Sequence, residues 1–180
     1  MKRNGILVLL LLVLAAGTAS AASVGIGVFG GTSVPIIQDD NGNGTLFGAR
    51  VPVALIPLVT IEPYYAKTAG KDKSQDIDGF PIPYEGIDVT SFGANVLLTF
   101  GGKFQFYPFA GIGSFKMKRT ALDESKSGYN FGLGLGLSPI PKFSIHVRGE
   151  LAAAIDAGTS RKWANVTAGV SYNFFSLPTP

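Results

Sequence analysis

The sequence predicts an all-β fold: one eight-stranded antiparallel up-and-down β-barrel that crosses a membrane. Three observations predict it, namely a secretory leader, strand-like segments that alternate apolar with small or polar residues, and connections that alternate between long and short. The alternation is clearest in residues 163–175, WANVTAGVSYNFF, where every second residue from Ala164 to Phe174 is apolar. This is the period of a strand with two different faces. The segment is also long enough to cross a bilayer as a tilted strand.

Residues 1–21 are the predicted signal peptide. They combine a basic start at Lys2 and Arg3, an apolar run over 6–16, and the small residues Ala-Ser-Ala at 19–21. The apolar run is shorter than the roughly 20 residues that a spanning helix needs, which argues against an uncleaved anchor. We therefore expect residues 22–180 to form a single outer-membrane barrel domain.

The composition excludes several classes of protein. Charged residues make up 15% of the chain, whereas soluble domains carry nearer a quarter. Without the two basic residues of the leader, 13 basic and 12 acidic residues remain, so we expect no nucleic-acid partner. There is no cysteine, which is compatible with an exported protein that needs no disulfide.

Eight segments have strand character, and the loops between them alternate in length. Long polar loops follow the first, third, fifth and seventh segments, and tight turns follow the second, fourth and sixth. Long extracellular loops and short periplasmic turns are typical of membrane barrels. An even number of strands places both chain ends on the short-turn, periplasmic side. The segments are 23–31, 45–56, 58–68, 87–100, 104–117, 129–138, 143–155 and 163–175.

The segments differ in how clearly they alternate. In the second, third, sixth and seventh, one face is apolar and the other carries mainly small or polar residues. The fifth is less regular, because Tyr107 and Phe109 share a face with Gln105 and Gly111. We expect either a β-bulge there or aromatic side chains that fill the barrel.

The composition of the second face decides between a membrane barrel and a soluble one. A soluble barrel would turn its apolar face inward and present many charges to water. Here the second face is mostly Gly, Ser, Asn and Thr, which suits the narrow interior of an eight-stranded barrel. The apolar face is therefore predicted to contact lipid, and a soluble ligand-binding barrel is the alternative.

Two segments resemble a known family. Residues 107–115, YPFAGIGSF, are similar to a strand of the small eight-stranded outer-membrane barrels of the OmpA, OmpX and opacity-protein type, and 169–175, GVSYNFF, to their closing strand. The resemblance implies a location in the outer membrane of a Gram-negative bacterium. It also implies insertion by the barrel insertion machinery, which reads a C-terminal aromatic residue. Here residues 176–180 follow Phe175, which departs from that pattern.

One cluster of ionisable residues is predicted to face the lumen. Unpaired charge in a narrow interior is costly, so we expect arginine–carboxylate pairs that plug the barrel. A gated path for ions or small solutes is the alternative. The predicted network contains Arg50, Glu62, His146, Arg148 and Glu150.

No catalytic, metal or cofactor site is predicted. His146 is the single histidine, and Arg148 stands where a His-x-Ser lipid deacylase would carry serine. Residues 39–44, DDNGNG, match the start of a calcium loop, but Arg50 occupies the position of its bidentate glutamate. A flexible loop is the favoured interpretation, with weak calcium binding as the alternative.

The loop ends carry many cations. Facing a leaflet of phosphorylated glycolipid, they are expected to contact phosphate groups, although interspersed acidic residues make simple loop solubility an equal alternative. The predicted lipid-contacting residues are Lys67, Lys116, Lys118, Arg119, Arg161 and Lys162.

We expect a structural or interaction protein without catalysis. Its predicted partners are outer-membrane lipids, the insertion machinery and an extracellular ligand of the long loops. Two alternatives are a small-solute or ion pore, and a surface adhesin that binds through loop 69–86, which carries the apolar sequence FPIPY at 80–84.

Overall fold

The computed structural model of the chain describes residues 23–36, 42–77, 80–120, 122–155 and 160–176. The predicted signal peptide and the first residues of the DDNGNG motif lie outside these ranges. Within them, no helix is both long and apolar enough to cross a membrane. The strands are β1 (Ser23–Ile36), β2 (Gly44–Arg50), β3 (Val53–Ile56), β4 (Val59–Gly70), β5 (Lys73–Ile77), β6 (Phe80–Tyr84), β7 (Asp88–Leu98), β8 (Phe100–Gly101), β9 (Phe104–Arg119), β10 (Leu122–Ile140), β11 (Phe143–Ala154) and β12 (Arg161–Ser176).

Most of these strands form one closed antiparallel barrel. The first strand β1 pairs with the last strand β12 on one side and with β2 and β3 on the other. The order round the barrel is β1, β2 with β3, β4, β7, β9, β10, β11 and β12. Closure leaves no open sheet edge in the bilayer, where an unpaired N–H or C=O is very costly. The predicted eight-stranded up-and-down barrel is confirmed.

The second barrel strand is interrupted at Val51 and Pro52, which separates β2 from β3. Proline lacks an N–H and cannot donate to the ladder, so a break in the pairing suits Pro52. The interrupted segment stays hydrogen-bonded to both neighbouring strands. Pro52 O accepts a hydrogen bond from Gly25 N on β1, and Val51 N donates one to Pro63 O on β4, both at 2.9 Å.

Several strands run further outward than the sequence predicts. The strand β1 continues to Ile36, and β9 and β10 pair up to Arg119 and Leu122, so most of the predicted loop 118–128 is strand. Loop 69–86 contains a separate hairpin, β5 with β6. The ladder needs only backbone groups, so it continues above the bilayer with polar side chains that resemble a loop in composition.

The outer surface of the barrel is an apolar band with aromatic residues at both ends. Exposed aromatics such as Phe92 (58% exposed) lie near the long-loop end, and others such as Phe104 (62%) lie near the turn end. Two such girdles are typical of barrels that cross a bilayer. The long-loop girdle contains Phe47, Tyr65, Phe92 and Tyr129, and the turn girdle contains Phe100, Phe104, Tyr172 and Phe174.

Candidate functional site

The centre of the lumen is an ion pair between opposite walls of the barrel. Glu62 on β4 is 1% exposed, and its two carboxylate oxygens accept hydrogen bonds from the guanidinium of Arg148 on β11 at 2.5 and 2.7 Å. Arg50, at the end of β2, brings its Nε within 3.8 Å of the same carboxylate. One buried carboxylate therefore lies between two buried guanidinium groups. Bidentate pairing of this kind offsets the cost of removing the charges from water.

Aromatic rings line the guanidinium groups. The Cζ of Arg148 is 5.0 Å from the ring centroid of Tyr107 and 5.3 Å from that of Phe109, and Arg50 lies 5.4 Å from Phe29. A ring face attracts a cation, most strongly where water is excluded. The strand β9 pairs with both neighbours without a register shift, so of the two expectations for Tyr107 and Phe109, aromatic filling of the lumen is correct and the bulge is wrong.

Tyr107 joins the ion pair to His146. Arg148 Nε donates a hydrogen bond to Tyr107 Oη at 3.0 Å, and Tyr107 Oη lies 3.1 Å from His146 Nδ1. An arginine donates only, so Tyr107 Oη accepts from Arg148, and its own hydrogen is available for His146 Nδ1. The large ring of Tyr107 fits because Gly134 faces it, where an added Cβ would overlap the ring.

Glu150 is held by amides. Asn165 Nδ2 and Asn130 Nδ2 donate to its two carboxylate oxygens at 2.9 and 3.1 Å, and Asn130 Nδ2 also donates to Asn95 Oδ1 at 2.8 Å. The expected arginine partner of the lumen carboxylates is thus seen at Glu62. The asparagines and Tyr107 were not among the predicted site residues, although their lumen-facing parity was visible in the alternation.

Two cavities lie on opposite sides of the ion pair. One, of about 50 Å³, is on the long-loop side and is lined by Arg50, Glu150 and Asn165 among others. The second, of about 260 Å³, is on the turn side and is lined by His146, Ser171 and Asn173 among others. Glu62 and Arg148 line both cavities, so their ion pair separates them. Arg50 Nε and Asn165 Oδ1 have no hydrogen-bond partner among the described residues, and the smaller cavity is roomy enough for a few water molecules to reach them.

An apolar layer lies inside the barrel on the long-loop side of the ion pair. The rings of Phe115 on β9 and Trp163 on β12 stack with their centroids 6.0 Å apart. Five further buried residues complete the layer: Ile87, Val89, Met117, Ala152 and Ala154. The lumen is therefore spanned by the ion pair, and the apolar layer packs inside the barrel further toward the long loops.

The six cations predicted at the loop ends, here called the rim cations, divide into two groups by the strand face they occupy. Four are exposed and lie on the same face as the lipid-facing residues: Lys67, Lys116, Lys118 and Lys162. Two lie on the lumen-facing side and are half-buried: Arg119 and Arg161. Lys116 and Lys118 both reach the carboxylate of Asp123, at 3.2 and 3.9 Å. The structure thus brings Lys116 and Lys118 together on the outer surface of the β9–β10 hairpin.

Three carboxylates hold the base of loop 69–86, one of them within the loop and two between the loop and the barrel strands. Asp88 Oδ1 accepts a hydrogen bond from Gly70 N at 3.1 Å, and Asp72 Oδ1 accepts one from Gly86 N at 2.9 Å. Glu85 accepts two from Thr120, from its N–H at 3.0 Å and its hydroxyl at 2.7 Å. The base of the β5–β6 hairpin is thereby tied to the neighbouring β9–β10 tip.

Known outer-membrane proteins share this architecture. The family model described as outer membrane protein beta-barrel domain matches residues 6–174. No curated protein matches the sequence. Among solved structures, Neisserial surface protein A is 13% identical with a TM-score of 0.60, and the match covers 86% of this chain and 99% of that chain. The N-terminal barrel of OprF from Pseudomonas aeruginosa is 14% identical with a TM-score of 0.56, covering 86% and 98%.

A third solved structure has the same fold. A major outer membrane protein from Thermus thermophilus is 11% identical with a TM-score of 0.57, and the match covers 85% of this chain and 99% of that chain. At these identities the solved structures establish the fold, and the family model establishes the kind of protein. The chain belongs to the outer membrane protein β-barrel domain family and is a protein of the Gram-negative outer membrane.

Proposed function

We propose that the protein is a non-catalytic element of the outer-membrane wall, with a closed lumen and a surface hairpin that meets an extracellular partner. The observation that carries the proposal is that the Glu62–Arg148 pair spans the lumen, while the stacked rings of Phe115 and Trp163 occupy it on the long-loop side. A barrel closed in this way supports the membrane without letting ions or solutes pass through its lumen. The charged network of Arg50, Glu62, His146, Arg148 and Glu150 then acts as a plug.

Conductance in planar bilayers tests the closed lumen. The folded protein is expected to show no discrete channel steps at moderate voltage. The second candidate function, a small-solute or ion pore, is favoured by the cavity of about 260 Å³ that reaches the ion pair from the turn side. It predicts steps in the wild-type protein, and a changed step size in Glu62→Gln or Arg148→Met. Discrete wild-type steps that shift in these variants would overturn the closed-lumen proposal.

The interaction role rests on loop 69–86. Its hairpin is fixed at the base by Asp72, Glu85 and Asp88, and it presents Phe80, which is 74% exposed. An aromatic side chain on a constrained loop binds with a small loss of conformational entropy. Cells that display the protein are expected to adhere to immobilised extracellular-matrix proteins more than cells without it. Deleting 73–84 should abolish that gain while the barrel still migrates as a folded species before boiling.

Absence of catalysis is part of the proposal. Any histidine-dependent hydrolysis would have to use His146, whose Nδ1 is directed at Tyr107 inside the lumen and away from the lipid-facing surface. We expect the lipid composition of expressing cells to be the same for the wild type and for His146→Ala. A lipid product that disappears in His146→Ala would contradict a non-catalytic role.

Outer-membrane lipids are the proposed partners of the rim. The exposed cations Lys67, Lys116, Lys118 and Lys162 stand above the apolar band, at the level where phosphorylated glycolipids carry their anionic groups. Arg119 and Arg161 are proposed to contribute from the loop tips. Insertion by the barrel insertion machinery remains a proposal from the family resemblance, with Phe175 as the aromatic residue nearest the chain end.

A further inference from the structure

Two of the rim lysines are placed symmetrically about one threonine. Lys67 on β4 is the cross-strand partner of Thr90 on β7, and Thr90 is the partner of Lys116 on β9. All three lie on the lipid-facing parity of their strands. Neighbouring strands are about 4.8 Å apart, so the two lysine backbones are separated by roughly 10 Å, with the short side chain of Thr90 between them. The side chains of Lys67 and Lys116 are long and flexible, so their ammonium groups can approach each other across this gap.

The depth of this trio in the membrane follows from the residues below it. Tyr65 and Phe92 are paired with each other, two positions from Lys67 and Thr90 toward the bilayer centre, and both are exposed. Exposed aromatic residues at the end of an apolar band lie at headgroup level. Two residues along a strand span about 7 Å, which places the ammonium groups just outside the girdle, among lipid phosphates.

Hydroxyl groups surround the same position. Ser114 is the partner of Phe92, and Ser125 is the partner of Lys116. The two serine hydroxyls lie 3.1 Å apart on the lipid-facing parity of the β9–β10 hairpin. Polar side chains here would be out of place against hydrocarbon, and they match a lipid headgroup instead.

We propose that Lys67, Thr90 and Lys116 form a binding site for one phosphate group of an outer-leaflet glycolipid. The inference rests on the proposed role of the rim and deepens it, since it selects two of the six predicted cations and adds Thr90. The two ammonium groups supply charge and the hydroxyl of Thr90 supplies a neutral donor. A phosphate monoester, with three strongly accepting oxygens and a charge of about −1.5 to −2, suits three such donors.

The present partner of Lys116 competes with that ligand. Asp123 accepts from Lys116 at 3.2 Å, and Lys118 lies 3.9 Å from the same carboxylate. The side chains of Lys116 and Asp123 are 52% and 55% exposed, so their ion pair is weak. When Lys116 turns to a phosphate, Lys118 remains to neutralise Asp123. Asp123 therefore regulates the site, and removing its charge is expected to strengthen binding.

Lipid retention by the purified, folded full-length protein tests the site. Native mass spectrometry in detergent micelles would compare a bis-phosphorylated glycolipid, its dephosphorylated form, and inorganic phosphate. The wild type is expected to prefer the phosphorylated lipid. Lys67→Gln with Lys116→Gln should weaken its binding by about 30-fold, given the usual contribution of each cation near a charged membrane surface. Asp123→Asn should tighten it, and Thr90→Val should weaken it less than the double variant does.

The control carries the same loss of charge on the turn side, Lys103→Gln with Lys142→Gln, and should bind as the wild type does. Equal binding by the two double variants, or equal retention of phosphorylated and dephosphorylated lipid, would overturn the site. Inorganic phosphate that binds as tightly as the lipid would overturn the assignment to a lipid. If the phosphorylated lipid were preferred and Lys67→Gln with Lys116→Gln left that preference unchanged, the site would fail while the proposed role of the rim survived, so the two failures are distinguishable.

Discussion

Arg148 and Glu62 are 86 residues apart in the sequence and meet across the diameter of the barrel. Their strands, β11 and β4, are separated by four steps round the barrel in either direction. The bidentate contact is therefore a strut between opposite walls. The two strands are not paired in the sheet, so the ion pair, with the rings around it, connects them through the lumen.

Removing Glu62 alone is expected to be more harmful than removing Glu62 and Arg148 together. Glu62→Gln leaves Arg50 and Arg148 buried without their shared carboxylate and should lower the free energy of unfolding by about 3–5 kcal/mol. Urea titration of the folded protein in micelles, followed by the mobility shift on boiling, measures the effect.

The double variant Glu62→Gln with Arg148→Met is the control for that experiment. It leaves one buried guanidinium group, that of Arg50, instead of two, so it should recover part of the stability lost in Glu62→Gln. If the double variant were no more stable than Glu62→Gln, the charges of Glu62 and Arg148 would not be coupled and the strut interpretation would be wrong.

Gly134 is expected to be intolerant of a side chain. An added Cβ would overlap the ring of Tyr107, so Gly134→Val should displace the ring and reduce the free energy of unfolding by about 1–3 kcal/mol. The matched control is Gly149→Val on β11, where an added Cβ meets nothing within 4 Å. Equal unfolding midpoints for the two variants would show that Tyr107 does not occupy the lumen as described.

Trp163 reports on which face of the barrel is inside. It is the single tryptophan of the chain, is 4% exposed, and stacks on Phe115 in the apolar layer of the lumen. Its fluorescence in vesicles should be quenched weakly by lipids with brominated chains and weakly by iodide. Replacing Val166, which is exposed on the outer face, with tryptophan in a Trp163→Phe background should give strong quenching by the brominated lipid. Strong quenching of Trp163 itself would mean that the faces are reversed.

Glu85 is expected to control the mobility of loop 69–86. Glu85→Gln should weaken both hydrogen bonds from Thr120, because an amide accepts less strongly than a carboxylate and presents only one acceptor atom. Trypsin should then cleave after Lys71 and Lys73 faster than in the wild type, by several-fold for a change of about 1 kcal/mol. Asp76→Asn, which makes the same charge change within the hairpin, serves as the control and should leave the cleavage rate unaltered.

The fold was predictable because its signal is local. Alternation within 163–175 and within the other segments reports directly on the two faces of each strand. The outward extension of β9 and β10 to Arg119 and Leu122 was not predictable in the same way. Outside the bilayer, the ladder places no demand on side-chain polarity, so strand and loop have the same composition there.

The lumen residues also divide into features that the sequence predicts and features that it does not. Parity was sufficient to direct Arg50, Glu62 and Arg148 inward, since a charge on the other face would meet hydrocarbon. It contained no information on the choice of partner, because Glu62 and Glu150 are both acceptable carboxylates for Arg148. The register of strands on opposite walls brings Arg148 to Glu62 and leaves Glu150 to Asn130 and Asn165.

Sequence alone determined the barrel and the set of inward-facing residues, since each depends on a residue and its near neighbours along the chain. Tertiary structure decided what occupies the lumen: the Glu62–Arg148 strut and the stacked rings of Phe115 and Trp163. It also decided the alignment of Lys67, Thr90 and Lys116 on three adjacent strands. These contacts depend on closure and shear of the barrel, which set the positions of distant strands relative to one another.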